Sequence, residues 1–318
     1  MSDQEGETNN HIIVHRYLHK CRSVAQPPGL ADFLKGTIYL YQQSQRGPNP
    51  NQKAYDLVVD FSHHPMGTFV VPSSTFPNTE MYQERMTRLT NRTDVHVEEC
   101  FNQHRPAIRA IVQQFQQPQP QTTIYAVCHE PYDQFDSYEP TTLSPDDQDF
   151  MKSVLTFHPE LVETADNIQE ELGLDHNNQG FCTLHLRMGD QQSAQENTYA
   201  AQLAHVEDYL QRVILPQWGS DRILVMSDSY YTKKYLSAKY NLICTSFTPV
   251  HMGEAAAFVT RGEMAPPTAI GHTLTEFILL SRSKTVYVYS VYGWISGFSK
   301  VCAHIYGIPY IPIPKTMP

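Results

Sequence analysis

Between residues 181 and 313, short apolar runs alternate with segments of helical periodicity, and this alternation restricts the fold more than any other feature of the chain. Strands are read at 181–186, 222–226, 242–247, 285–289 and 310–313, with helices at about 199–215, 230–239, 273–282 and 295–306. Near-continuous apolar strands are buried on both faces, as in a parallel sheet. A helix-length crossover between strands returns the chain to the same edge of the sheet, so successive strands pair in parallel. Five strands alternating with helices therefore predict a doubly wound parallel sheet.

The N-terminal half reads the same way with longer interruptions. His11 to Leu18 suggests a strand, 31–43 a helix, and Tyr55 to Phe61 and Thr123 to Cys128 two further strands. The helix gathers Phe33, Leu34, Ile38, Leu40 and Tyr41 on one broad face. Ser144-Pro145-Asp146-Asp147 is a strong helix start, since serine caps, proline fits the first helical position and acids meet the positive helix end. That helix is expected to run to Leu172 with a break at Pro159. Residues 65–120 give no clear pattern. The length of 318 residues suits two domains. The expected organisation is a disordered tail over 1–10, a first domain over 11–177 and a second over 178–318, joined by the polar stretch Asp175 to Gly180.

A net charge of −10 argues against a general nucleic-acid binder, because no basic surplus exists to neutralise phosphates. None of the six cysteines forms a C-x-x-C pair, and those at 128, 182, 244 and 302 lie in apolar runs, so they read as reduced core residues. No apolar stretch suits a signal peptide or a membrane span, which makes a cytoplasmic location the expectation. The chain has no nucleophile-elbow, P-loop or dinucleotide glycine motif.

The stretch His185-Leu186-Arg187-Met188-Gly189-Asp190 follows a buried strand. In open α/β sheets that edge binds ligands. An arginine there can hold a phosphate with two hydrogen bonds and keeps its charge. The bland alternative is an Arg–Asp pair bracing a turn. Two strand ends in the first half, His63-His64-Pro65 and His129-Glu130-Pro131, stand where a cleft would be, so His63, His64, His129 and Glu130 are further candidate binding residues. Neither has H-E-x-x-H spacing, and no metal is expected.

The H-x-R-x-x-D spacing after a strand resembles the donor-site motif of the GDP-fucose-dependent fucosyltransferases. Gly29-Leu30-Ala31-Asp32-Phe33-Leu34 resembles their G-x-G-N-Q-L loop, with Ala31 for the second glycine and Asp32 for the asparagine. Leu274 to Ser281 resembles their helix with an acid followed by a Leu-Ser pair, and Glu276 stands where aspartate is common. Ser290-Val291-Tyr292-Gly293-Trp294 takes the place of a Ser/Thr-rich phosphate loop, with one Ser and one Gly left. Val225-Met226-Ser227-Asp228 fits a strand ending in a Thr/Ser-Asp pair.

The resemblance implies two Rossmann-like domains facing a cleft, the GT-B type, and inverting transfer of L-fucose from GDP-fucose to a glycan or protein hydroxyl, without a metal. It implies that Arg187 holds the β-phosphate, that Asp190 orients Arg187, and that His185 contacts the nucleotide. Asp228, Glu276, Ser290, Gly293 and Gly29 fall on the donor side by the same resemblance. Tyr292 and Trp294 either stack on the donor or pack in the core. Asp32 is the candidate proton acceptor, against the simpler role of a helix-capping acid and with His63, His64, Glu130 and Asp133 as competitors; His63, His64, His129 and Glu130 are the candidates for the acceptor side. Another nucleotide sugar, such as GDP-mannose or a UDP-sugar, and a non-catalytic glycan-binding or structural protein remain open. The strand-and-loop pattern is also similar to glycosyltransferases of large DNA viruses, which would place the protein in a host cytoplasm.

Overall fold

In the computed structural model, the described residues are 11–16, 29–45, 55–61, 65–71, 99–100, 123–127, 143–174, 179–189, 196–247, 267–292 and 295–315. The chain divides into two compact units, with the boundary after Thr156.

The first unit is a parallel sheet of β1 (His11–Arg16), β2 (Asp56–Asp60), β3 (Glu99–Cys100) and β4 (Thr123–Val127), in the order β2-β1-β4-β3. The two-residue β3 falls in the stretch without a clear sequence pattern, because so short an edge strand carries no periodicity. Helix α1 (Leu30–Ser44) follows β1 and buries Leu30, Phe33, Leu34, Ile38 and Leu40. His15 of β1 is fully buried, stacks on Phe33 at 4.3 Å and shares a 2.9 Å hydrogen bond with Thr37, which fixes strand to helix. Helix α2 (Pro145–Val154) starts with the reciprocal cap expected of its sequence: Asp147 N–H donates to Ser144 Oγ (3.1 Å), and the Asp147 carboxylate accepts from Ser144 N–H (3.3 Å). It packs on α1 through the Tyr41–Phe150 stack, with centroids 3.8 Å apart.

The helix expected over 145–172 is two helices. His158 precedes a proline and is extended (ψ 139°), so α3 (Pro159–Glu171) begins anew. Phe157 meets Phe277 edge-on at 6.3 Å, and Arg282 pairs with Asp166 (2.6 Å) and donates to Gln169 (2.8 Å). Those partners belong to the second unit. These contacts place α3 in the second unit, whose boundary with the first falls after Thr156, ahead of the polar stretch at 175–180.

The second unit is a five-stranded parallel sheet of β5 (Cys182–Arg187), β6 (Ile223–Ser227), β7 (Ile243–Cys244), β8 (Thr285–Ser290) and β9 (Tyr310–Pro312), in the order β7-β6-β5-β8-β9. Its crossovers are α4 (Glu196–Tyr209), α5 (Tyr230–Tyr240), α6 (Pro267–Ser281) and α7 (Gly297–Tyr306). Helix α4 continues through a π turn, Leu210–Ile214, into Leu215–Trp218. Pro216 lacks the N–H that would close a regular turn there. Cys182, Leu184, Leu186 and Met188 point to one face and pack with Leu203, Val206, Leu210 and Leu236. On the other face Phe277 of α6 meets Phe298 of α7 at 5.3 Å. Burial pushes the Cys182 thiol up to about 12, so it behaves as an inert core group.

Two expected boundaries shift. The strand expected over 242–247 is confined to Ile243–Cys244, and α6 starts at Pro267, six residues before the expected 273. Among the described residues no helix is long and apolar enough to cross a membrane.

Candidate active site

Strand order in the second unit reverses between β5 and β8. From β5 the chain proceeds outward to β6 and β7, then crosses back to β8 on the other side. At such a switch point the crossovers leave in opposite directions, and a crevice opens at the carboxyl ends of the strands. Arg187 is the last residue of β5 and lies opposite Ser290, the last residue of β8.

Three turns surround it, two of them built alike. Strands β6 and β8 each end in a buried serine whose hydroxyl accepts an N–H two residues on, Ser229 N–H to Ser227 (3.0 Å) and Tyr292 N–H to Ser290 (3.2 Å). The turn after β5 is held from outside: Asp228 accepts from Met188 N–H (2.7 Å) and Gly189 N–H (3.1 Å). The same carboxylate lies 3.0 Å from Arg187 Nη1. The Arg187 guanidinium also lies 5.6 Å from the Tyr292 ring centroid. Its side chain keeps 22% of its surface in solvent, so a charged group fixed by two neighbours still faces an open edge.

Gly189 explains part of this geometry. Its φ is +87°, a conformation side chains resist, and a Cβ there would stand 2.8 Å from the Tyr292 hydroxyl. The glycine therefore lets Tyr292 close over Arg187. Lys315 donates to the Tyr292 carbonyl from outside.

His185 is on β5, two residues before Arg187, and is buried. Burial, helped by the nearby Arg187 charge, lowers its pKa to about 3, so the ring is neutral. Its Nδ1 has no hydrogen-bond partner among the described residues. A buried ring nitrogen left so is unusual and suits a ligand contact.

Glu276 departs from expectation. It lies in the middle of α6, not near its start, and its Oε1 is engaged by Lys233 Nζ (3.1 Å) and by the Thr245 hydroxyl (2.5 Å). The acid anchors a buried ion pair on the donor side that the resemblance implies for it. Lys233 itself was missed. A Lys-Lys pair near a helix start reads as solvated, yet Thr232, Lys233 and Leu236 share the 3–4 spacing of one buried face.

In the first unit Gly29 is the N-cap of α1. The Asp32 carboxylate accepts from Gly29 N–H (3.3 Å) and lies 3.5 Å from Lys35 Nζ. These contacts are those of a capping acid. The acid holding Arg187 among the described residues is Asp228; Asp190, to which that role was assigned, lies outside them. So do His63, His64, His129, Glu130, Asp133, Gly293 and Trp294. Among the described residues no three His, Cys, Asp or Glu side chains converge to hold a metal ion.

The architecture defines a class. The chain has a fold like that of solved fucosyltransferases, built on Rossmann-like parallel sheets. The fucosyltransferase NodZ from Bradyrhizobium aligns over 92% of this chain and 91% of its own, with a TM-score of 0.50 and 14% identity. NodZ α-1,6-fucosyltransferase co-crystallised with GDP aligns over 93% and 92%, with the same TM-score and identity. A variant of FUT1 from Arabidopsis thaliana in complex with GDP aligns over all of this chain and 73% of its own, with a TM-score of 0.50 and 12% identity. Likeness at this level is one of fold. Neither the family models nor the curated protein sequences give a match.

Proposed function

We propose that this chain is a glycosyltransferase that moves a sugar, L-fucose in the first instance, from a GDP-sugar to a hydroxyl of a glycan or protein, with inversion. The observation that carries the reading is Arg187 at the β5–β8 switch point, fixed by Asp228 and flanked by Tyr292. A fixed guanidinium at a strand edge fits a diphosphate better than a neutral ligand. The fold likeness to fucosyltransferases, two of them solved with GDP, supports the choice of donor.

As the glycosidic bond breaks, negative charge grows on the departing diphosphate. Arg187 meets that charge without reorganising, because Asp228 already holds it. Ser290 accepts the Tyr292 N–H and can still donate its own O–H to a phosphate oxygen. His185 offers a neutral ring nitrogen to the nucleoside side. Asp32 is the candidate for taking the proton of the acceptor hydroxyl. Asp32→Asn keeps an oxygen for the Gly29 cap and removes the base, so turnover is expected to fall roughly 10²-fold with melting temperature and GDP affinity unchanged. Near wild-type turnover in that variant removes Asp32 from the mechanism.

The decisive experiment is incubation with GDP-fucose, GDP-mannose and a UDP-sugar, followed by detection of free nucleotide diphosphate. GDP released from GDP-fucose, and lost in Arg187→Ala, is the expected result. Release from another donor alone reassigns the sugar. Binding of GDP without any release, with or without added acceptor glycans, points to a non-catalytic glycan-binding or structural protein, the reading that the single serine in the turn after β8 favours.

A further inference from the structure

Lys233 is fully buried, and all three of its N–H groups are used. They reach Thr245 Oγ1 (3.0 Å), the Phe247 carbonyl (2.6 Å) and Glu276 Oε1 (3.1 Å). A buried ion pair is a poor stabiliser compared with apolar packing of the same volume. What this one does is tie three elements together: α5, the segment leaving β7, and α6. The residue so held, Phe247, stacks on His272 of α6 with centroids 4.0 Å apart and planes within 10°. Both rings are only half-buried. Partial burial lowers the pKa of His272, with the Glu276 charge opposing and Lys233 adding to the effect, so the ring is neutral at pH 7.

The topology gives this stack its place. Helix α6 enters from the carboxyl end of β7 and runs back to the start of β8, so its first turns, with His272, lie at the carboxyl edge of the sheet. Phe247 lies three residues past the end of β7 at that edge. Strand β7 is two strands from β5 in the sheet order. Two strand spacings are about 10 Å, comparable with the reach from a phosphate to the base of a nucleotide. His185 Nδ1, which has no hydrogen-bond partner among the described residues, and the Phe298 ring beside it are on the α6–α7 side of the same sheet.

We infer that the Phe247–His272 stack is an aromatic platform for the planar base of a nucleoside diphosphate whose phosphates lie on Arg187, and that Lys233 is the positioning residue that sets the platform. This rests on the donor reading above. It assigns the base to residues that the sequence did not single out, and it gives Glu276 an indirect part through Lys233.

The test is calorimetric titration of the whole chain with GDP and, separately, with inorganic pyrophosphate, which carries the phosphates without the base. Phe247→Leu keeps apolar bulk and removes the ring; Phe247→Tyr keeps the ring. Phe247→Leu is expected to weaken GDP about tenfold or more, the scale of a lost base–aromatic stack. It leaves pyrophosphate binding unchanged, while Phe247→Tyr binds both as the parent does. Lys233→Met is expected to behave as Phe247→Leu; if it does not fold, the Phe247 pair decides. Unaltered GDP affinity in Phe247→Leu overturns the platform, and so does an equal loss of GDP and pyrophosphate. If the parent binds pyrophosphate but not GDP, the phosphate site stands and the platform falls. If it binds neither, the donor reading fails and the inference with it.

Discussion

At the scale of single residues, the site depends on groups whose alternatives are chemically distinct. Arg187 makes a bidentate contact possible, and an ammonium does not reproduce it. Arg187→Ala is expected to weaken transition-state binding by roughly 2–5 kcal/mol, and Arg187→Lys to recover little of it, measured as kcat/KM with GDP-fucose. Gly189→Ala adds backbone strain of about 1–2 kcal/mol and forces Tyr292 away from Arg187. A drop in melting temperature together with weaker GDP binding is expected, whereas lost stability with intact GDP affinity would separate Tyr292 from the site. His185 yields a pH dependence. Its folded pKa of about 3 lies below the 6.5 of an ordinary histidine, so below pH 6.5 the unfolded chain binds a proton that the native chain refuses. Stability from this group is complete above pH 6.5 and falls towards pH 3, by up to about 1.4 kcal/mol per pH unit. His304, lowered to about 4 mainly by burial, acts in the same direction. Urea midpoints at pH 7 and pH 5 are expected to differ less in His185→Phe than in the parent; an unchanged difference would show that His185 is not buried neutral.

At the scale of elements, the ion pair between α5 and α6 gives Glu276 a structural role that its place in the sequence does not show. Were Glu276 an open donor contact, Glu276→Gln would weaken GDP binding and leave the melting temperature alone. With Lys233 fully buried against it, removing the carboxylate strands a charge inside the protein. Breaking one side of such a pair costs about 3–5 kcal/mol, so a clear fall in denaturant midpoint is expected for Glu276→Leu or Lys233→Ala alone. The double variant Lys233→Met/Glu276→Leu is expected to regain most of it. If the losses of the two single changes simply add in the double variant, the pair is not the coupling between the helices. Helix starts are more local. Ser144 and Asp147 cap α2 as their spacing in the chain implies, and Pro159 begins α3 as prolines do, because a cap needs only residues within one turn.

At the scale of the whole molecule, α3 determines where the chain divides. Phe157 against Phe277 and Arg282 against Asp166 attach it to the second unit. A fragment of residues 157–318 is expected to unfold cooperatively and to bind GDP. A fragment of 178–318, cut at the polar break, exposes the face of α6 that α3 covers and is expected to aggregate or melt earlier. Equal stability of the two would return the boundary to the polar stretch. The alternation of apolar runs and helical segments was enough to identify the parallel sheets, since strand burial and crossover length are written in local composition. The position of Arg187 at a strand end was legible for the same reason. Tertiary structure alone decided the rest. That Asp228 holds Arg187, 41 residues away in sequence, follows from β5 and β6 lying side by side in register. That Glu276 faces Lys233 and Thr245, and that Phe247 meets His272, follows from α5, β7 and α6 converging at one sheet edge. Periodicity records which face of an element is buried, but not which side chain from another element will meet it there. That is fixed only when the long-range contacts form.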